Sequence, residues 1–237
     1  MPIGLSFRSL GHLRTRPPLA DNYTRGSTEH GRSGVPIKEP VEAPGENSPE
    51  RYPYELAGDV TTNAGLHLYM RPIRPDDAQG LVIFHHSLTA DSVYRRYFSM
   101  HPTLSERELE HLTRVDYRDR LALVVLERGQ IIAVGRYDRI QKRDEAEVAF
   151  LVADKLQHHG IGLLLLQHLA DAALAQGITI FTAETQMDNR GMIGVFEGSG
   201  FPVTLSVDGQ MVSVRFPIQP TDASRAVRDR NKGDREC

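Results

Sequence analysis

Residues Gln157-His158-His159-Gly160-Ile161-Gly162 have the make-up of an anion-binding turn. They follow a short apolar run, Val148 to Val152, and precede a longer one, Leu163 to Ala170. A short run before glycines and a long run after them reads as a strand feeding a helix. The first backbone N–H groups of a helix have no helical acceptor, and the helix dipole adds positive potential there. Such an end holds a phosphate or pyrophosphate. Glycine allows close backbone approach, because a Cβ would hold the ligand away.

Two phosphate-binding patterns fail on these residues. A P-loop places Lys-Ser or Lys-Thr after its last glycine, and neither follows Gly160 or Gly162. A dinucleotide turn needs a third glycine where this chain has Leu165, and it belongs to an early βαβ unit, whereas this turn comes late. The pattern that matches is Gln/Arg-x-x-Gly-x-Gly/Ala, on Gln157, Gly160 and Gly162. On that match the turn resembles the acyl-CoA pyrophosphate loop of the GNAT acetyltransferase superfamily.

Other segments extend the resemblance. Asn189-Arg190-Gly191-Met192, Val195-Phe196-Glu197 and Gly200-Phe201 are similar to the family's Asn-x-x-Met-x-x-x-Phe-Glu-x-x-Gly-Phe segment. Met70 to Ala78 resembles the start of the domain. Asp91 to Phe98 and Ala146-Glu147-Val148-Ala149-Phe150 resemble bacterial protein-lysine acetyltransferases within the family. The similarity covers roughly residues 60–218. It implies an α/β (mixed α+β) domain with the GNAT fold, a mixed splayed sheet of six to seven strands flanked by helices. It also implies an acetyl-CoA-dependent N-acetyltransferase whose acceptor is a primary amine, a protein lysine first.

Acetyl transfer from a thioester to an amine has two requirements. The amine must be neutral, and for a lysine at pH 7 that costs about 4–5 kcal/mol. A carboxylate can take the proton. The oxyanion at the thioester carbon needs a donor, which a splayed strand supplies from its unpaired N–H groups. Glu147 matches the family glutamate that acts as general base. Without the resemblance it reads first as a solvated glutamate at a strand end beside Arg143 and Asp144. Backbone groups of Ala149, Phe150, Leu151 and Val152 are expected to pair with the pantetheine arm like an added strand. Those of Gln157, His158, His159, Gly160, Ile161 and Gly162 are expected to hold the pyrophosphate. Asn189 matches a family asparagine that contacts the CoA arm, and it is equally a helix N-cap.

The chain departs from the family in two places. Phe196 stands in the segment where many members place a tyrosine that protonates the leaving thiolate, so no acid is assigned. His158-His159 replaces smaller or basic residues and reads as two exposed loop histidines or an extra phosphate contact. Arg95-Arg96-Tyr97 reads as a solvated helix face with Tyr94 and Tyr97 inward, the other possibility being a wall of the acceptor entrance. His85-His86 reads as half-exposed surface on the first helix. Adjacent histidines without carboxylate or cysteine partners make no metal site, so no metal is assigned.

Composition sets bounds. The length of 237 residues accommodates one domain of ~150–160 residues with tails. A formal net charge of −3 gives no basic field for nucleic acid or an anionic membrane. The one cysteine, Cys237, is the last residue, which disfavours disulfides, a cysteine metal site and a covalent thiol intermediate. No apolar run approaches the ~20 residues that cross a bilayer. The arginine-bearing N-terminus has no apolar signal core, so the location expected is cytoplasmic, with a transit peptide as the alternative left by Arg8, Arg14 and Arg16 before the first acid, Asp21. Residues 1–58, rich in Pro, Gly and Ser, read as a disordered tail too short for a nucleotide-binding or synthetase module. Residues 59–218 form the acetyltransferase domain, and 219–237 a flexible tail. A non-catalytic acyl-CoA sensor and a small-molecule amine acetyltransferase are the alternative functions.

The elements that position these residues follow from periodicity and punctuation. Leu66 to Arg71 alternates as a first strand. Asp76 and Gln79 have capping-box-like spacing for a helix to about Leu88, and a second helix runs from Asp91 toward Phe98. Ser105-Glu106-Arg107-Glu108 is a second capping box. Leu121 to Leu126, Arg128-Gly129 and Ile131 to Tyr137 make a hairpin, followed by a strand over Glu145 to Val152. A helix runs from Gly160 to Gly177, a strand from Ile178 to Ala183 and a helix from Arg190 to Ser199. Asp208-Gly209 closes a last hairpin over Val203 to Phe216.

Overall fold

The computed structural model describes residues 52–100, 103–141 and 143–232. The expected tail residues up to 51 and from 233 onward lie outside them. The elements run β1 (Gly58–Thr61), β2 (His67–Pro72), α1 (Ala78–His86), α2 (Ala90–Tyr97), α3 (Glu106–Thr113), β3 (Arg120–Glu127), β4 (Gln130–Arg139) and β5 (Glu145–Val152). They continue with α4 (Ile161–Ala175), β6 (Ile180–Gln186), α5 (Arg190–Glu197), β7 (Thr204–Asp208), β8 (Met211–Pro217) and α6 (Asp222–Lys232).

One mixed sheet has the order β1-β2-β3-β4-β5-β6-β8-β7. Every neighbouring pair is antiparallel except β5 and β6. That parallel pair is held over only three positions, Glu145↔Ile180, Ala146↔Phe181 and Glu147↔Thr182, after which the strands diverge. The α4 helix covers one face, with Leu165, Leu166 and Leu169 against Tyr137, Phe150 and Phe181, all buried. The opposite face carries a smaller core of Ile73, Phe84, Ala122 and Val124 under α1 and α3.

Eight strands stand where six to seven were expected. The added one is β1, whose only buried side chain within four residues is Val60, opposite Leu68. Four residues with one buried position carry no alternation to read. The assigned tails also contain structure. A 3-10 turn spans Tyr54–Leu56, and the Tyr52 hydroxyl donates to the Pro72 carbonyl at 2.9 Å. At the other end, α6 is polar nearly all round, so no apolar stripe announces it. It is held by its ends: Thr221 and Ser224 cap each other (2.9 and 2.8 Å), the Thr221 hydroxyl donates to the Gly200 carbonyl (2.8 Å), and Arg228 pairs with Asp171 (2.8 Å).

The start of α1 differs by one residue from the expected cap. Asp77, not Asp76, is the N-cap of α1, and its carboxylate caps no α1 N–H but turns back over a 3-10 turn (Pro75–Asp77) to accept from the Arg74 N–H at 2.7 Å. The same carboxylate takes both prongs of Arg71, at 2.7 and 2.6 Å, which raises the guanidinium pKa. Both side chains are largely buried, at 12% and 9% exposure, so the pair is out of reach of surface screening. Asp77→Ala strands a buried guanidinium and uncaps the turn. We expect it to cost about 3 kcal/mol, read as a lower urea midpoint at unchanged slope. A cost below about 1 kcal/mol, typical of a surface pair, would contradict this.

Candidate active site

The split between β5 and β6 is fixed by hydrogen-bond phase. Ile140 N–H donates to the Glu145 carbonyl at 2.8 Å, and Ala153 N–H to the Ile132 carbonyl at 2.9 Å. In an antiparallel ladder the bonded pairs alternate. Glu145, Glu147, Ala149 and Leu151 therefore direct their backbone groups to β4, and Ala146, Val148, Phe150 and Val152 direct theirs to β6. On β6 the bonds Ile218 N–H to Thr179 carbonyl and Met187 N–H to Gln210 carbonyl, both 2.9 Å, turn Thr182, Glu184 and Gln186 toward β5. Pairing stops at Glu147↔Thr182, a pair that takes the Val148 N–H to the Thr182 carbonyl, so the Val148 carbonyl and both backbone groups of Phe150 are offered to the opening. The Val152 carbonyl also faces it, and Gln157 Nε2 approaches that oxygen at 3.4 Å. Of the four backbone positions expected to meet a ligand, Phe150 and Val152 face the split. Ala149 and Leu151 spend their backbone groups on β4 and line the cleft with side chains.

Glu147 sits at the fork. It is the last β5 residue paired with β6, and it lies directly opposite both Asp138 and Thr182, so the three share a face. The residue is half-buried and lines a cleft of about 510 Å³, a size usual for ligand pockets.

At the far end of β5, a 3-10 turn (Asp154–Leu156) leads into the glycine turn. His158 and Gly160 both have positive φ, 64° and 81°. A Cβ at Gly160 would collide with the Asn63 side-chain oxygen, so both backbone angle and space call for glycine there. The first helical bond of α4 is Leu164 N–H to the Gly160 carbonyl at 3.0 Å. The N–H groups of Ile161, Gly162 and Leu163 therefore have no helical acceptor, and Gly160 has no side chain to cap them. The second wall is the start of α5. Asn189 accepts from Met192 N–H at 3.2 Å, as a helix N-cap does, and it also lines the cleft. His158 Cε1 lies 3.5 Å from where a Gly191 Cβ would stand, which brings the first turns of α4 and α5 to the same mouth.

Gln157 acts through its side chain. Its amide nitrogen is 3.2 Å from Ser92 Oγ and 3.4 Å from Asp154 Oδ1. Asp154 also accepts from Thr89 N–H (2.9 Å), the Thr89 hydroxyl (2.9 Å) and the Ser92 hydroxyl (2.6 Å). Burial pushes the Asp154 carboxyl up, but the hydrogen bonds from Ser92 and Thr89 outweigh it and hold the pKa below the usual value. This knot fixes the approach to the turn against α2.

Several placements differ from the sequence reading. Arg95 and Arg96 line the cleft instead of forming a solvated face, and Tyr94 is 42% exposed while Tyr97 packs inward. His85 is buried, its ring 5.8 Å from that of Tyr97, whereas His86 is exposed. His159 does not line the cleft; its Nδ1 lies 2.8 Å from the Gln157 carbonyl. Phe196 is buried, with its ring 6.2 Å from Phe150 and 5.7 Å from Phe216, and no tyrosine lines the cleft among the described residues. Glu184 and Thr185 line it too, and were missed because the strand was ended at Ala183 when it runs to Gln186. Asn63 was missed because the β1–β2 turn carries no motif. Among the described residues no cluster of three His, Cys, Asp or Glu is placed to hold a metal ion, and no helix is long and apolar enough to cross a membrane.

The comparisons agree with this architecture. The acetyltransferase (GNAT) family model matches residues 89–201. Acetyltransferase Pat of Mycolicibacterium smegmatis is 32% identical over 167 residues, 69% of this chain and 49% of that protein. The chain thus spans about half the length of that relative. A cAMP-binding acyltransferase from Mycobacterium smegmatis aligns at 27% identity over 74% of this chain and 54% of its own, with a TM-score of 0.51. The crystal structure of the GNAT domain of S. lividans PAT superimposes with a TM-score of 0.67 at 37% identity, over 70% of this chain and 99% of that domain. With identity at that level across nearly the whole of a solved domain, the chain belongs to the GNAT acetyltransferase family.

Proposed function

We propose that this protein transfers an acetyl group from acetyl-CoA to a primary amine, with a protein lysine as acceptor and Glu147 as general base. The observation that carries the reading is the position of Glu147 at the fork of β5 and β6, in the same cleft as the uncapped start of α4. The residues present fit the donor. Val148 and Phe150 offer backbone groups to a pantetheine arm, and Ile161 to Leu163 offer N–H groups to a pyrophosphate. The thioester supplies an activated acyl group and a thiolate that leaves readily. Glu147 takes the proton that a lysine must lose before it attacks. An N–H on the open edge of β5 stabilises the oxyanion. With Phe196 in the segment where many family members place a tyrosine, no side-chain acid is assigned to the departing thiolate.

A protein acceptor is supported by the openness of the acceptor side. Glu184, two residues beyond Thr182 on the face that carries Glu147, is exposed. Two carboxylates on an open face attract a long cationic side chain without enclosing it. The test compares acceptor classes: lysine peptides, polyamines and amino sugars, at equal concentration, with thiol release as readout. Preference for the peptides by kcat/KM supports the proposal. Preference for a polyamine or amino sugar replaces the protein acceptor, and tight acetyl-CoA binding with no turnover on any amine replaces the enzyme with a sensor.

A further inference from the structure

The α2 helix packs on both β5 and β6 and is tied to both lips of the split. At the β5 lip, Asp154 receives three short bonds from Thr89 and Ser92, between 2.6 and 2.9 Å. At the β6 lip, Arg95 reaches Asp188, just beyond the end of β6, with Nη1 to Oδ1 at 3.2 Å and Nη2 to Oδ2 at 3.3 Å. Arg95 Nε is meanwhile held at 2.6 Å by Asp91, one turn earlier on the same helix. The guanidinium is thus anchored by one nitrogen and presents its two-pronged edge across the mouth.

We propose that Arg95 is a phosphate ligand of the bound acyl-CoA, held in reserve by Asp188 until the anion displaces that carboxylate. The proposal rests on the acyl-CoA reading of the cleft. The two ties of α2 are unequal. The Asp154 tie is short and half-buried. The Asp188 tie is long, and Asp188 is 71% exposed, so water takes over its carboxylate readily once the bond is released. Exposed pairs contribute little, whereas a phosphate binds a guanidinium in the same forked geometry with more charge. Arg95 is also in reach of the turn. It stands one helical turn from Ser92 on α2, and Ser92 touches Gln157, where the turn begins. Arg95 lines the cleft together with His158 and the start of α5.

Because Asp188 competes for Arg95, the two partners have opposite effects on affinity. CoA binding is measured by calorimetry on the full chain for wild type, Arg95→Gln and Asp188→Asn, and repeated with pantetheine, which has no phosphate. Arg95→Gln should weaken CoA roughly tenfold, the loss of a charge-assisted bond, and leave pantetheine unchanged. Asp188→Asn should tighten CoA by up to about fivefold, the worth of an exposed pair. If both variants weaken CoA alike, or Arg95→Gln weakens pantetheine too, the bridge is scaffold and the proposal is overturned while the cofactor assignment stands. If the wild type binds no CoA, the acyl-CoA reading falls, and this proposal with it.

Discussion

Glu147→Gln is expected to slow acetyl transfer to a lysine peptide by about 100- to 10,000-fold, the usual contribution of a positioned base, with acetyl-CoA affinity unchanged. Gln is nearly the shape of Glu and keeps a hydrogen-bonding oxygen, so packing at the fork survives. What disappears is the capacity to take a proton. The deficit should shrink as pH rises, because a lysine with an ordinary pKa near 10.4 then arrives neutral without help. A rate within about threefold of wild type would leave too little for a base to do and would move that role to another group. Glu184 is then the nearest alternative in the cleft on the same face.

Gly160→Val is expected to weaken acetyl-CoA binding by more than about thirtyfold. A left-handed angle costs a residue with a Cβ about 1–2 kcal/mol, and more when the side chain is β-branched. The side chain would also meet Asn63 and Thr62, which stand on the loop side of the residue. The turn then opens, and the N–H groups of Ile161 to Leu163 lose their common direction. Backbone strain alone is separable from this effect. Gly129→Val imposes the same kind of strain, at φ 80° with open space around it in the β3–β4 turn, at a residue that does not line the cleft. It should lower thermal stability and leave affinity intact. Equal loss of affinity in both variants would mean that general destabilisation, not the anion site, is being read.

Much of this architecture is legible in the residues because local rules and tertiary packing agree. Arg128-Gly129 closes the β3–β4 hairpin with both residues at positive φ, and Ser105 and Glu108 form the capping box that their spacing predicts. The run from Glu145 through Gly160 into α4 is strand, turn and helix, as its periodicity says. The site is less legible. Period-two alternation assigns side chains to faces but says nothing of which strand stands at each edge, so it could not separate Phe150 from Ala149 as an open backbone position. That distinction needs the register with β4. Placement of α2 over the split is a tertiary fact too: Arg95 and Arg96 look like solvated charge in a polar octet, and only Asp154 and Asp188, far away in the chain, bring them to the cleft. His85 is buried for a similar reason, since the apolar stripe of α1 does not reveal that Tyr97 closes over its edge.

The central claim is that the β5–β6 cleft delivers the acetyl group of acetyl-CoA to an amine. It is tested most directly by following free thiol from acetyl-CoA with the wild-type chain, with and without a lysine peptide, while counting acetyl-lysine by mass spectrometry. Release should depend on the peptide, with one acetyl-lysine formed per thiol. Tight acetyl-CoA binding with no acceptor-dependent release, or thiol release with no acetylated amine, would contradict it.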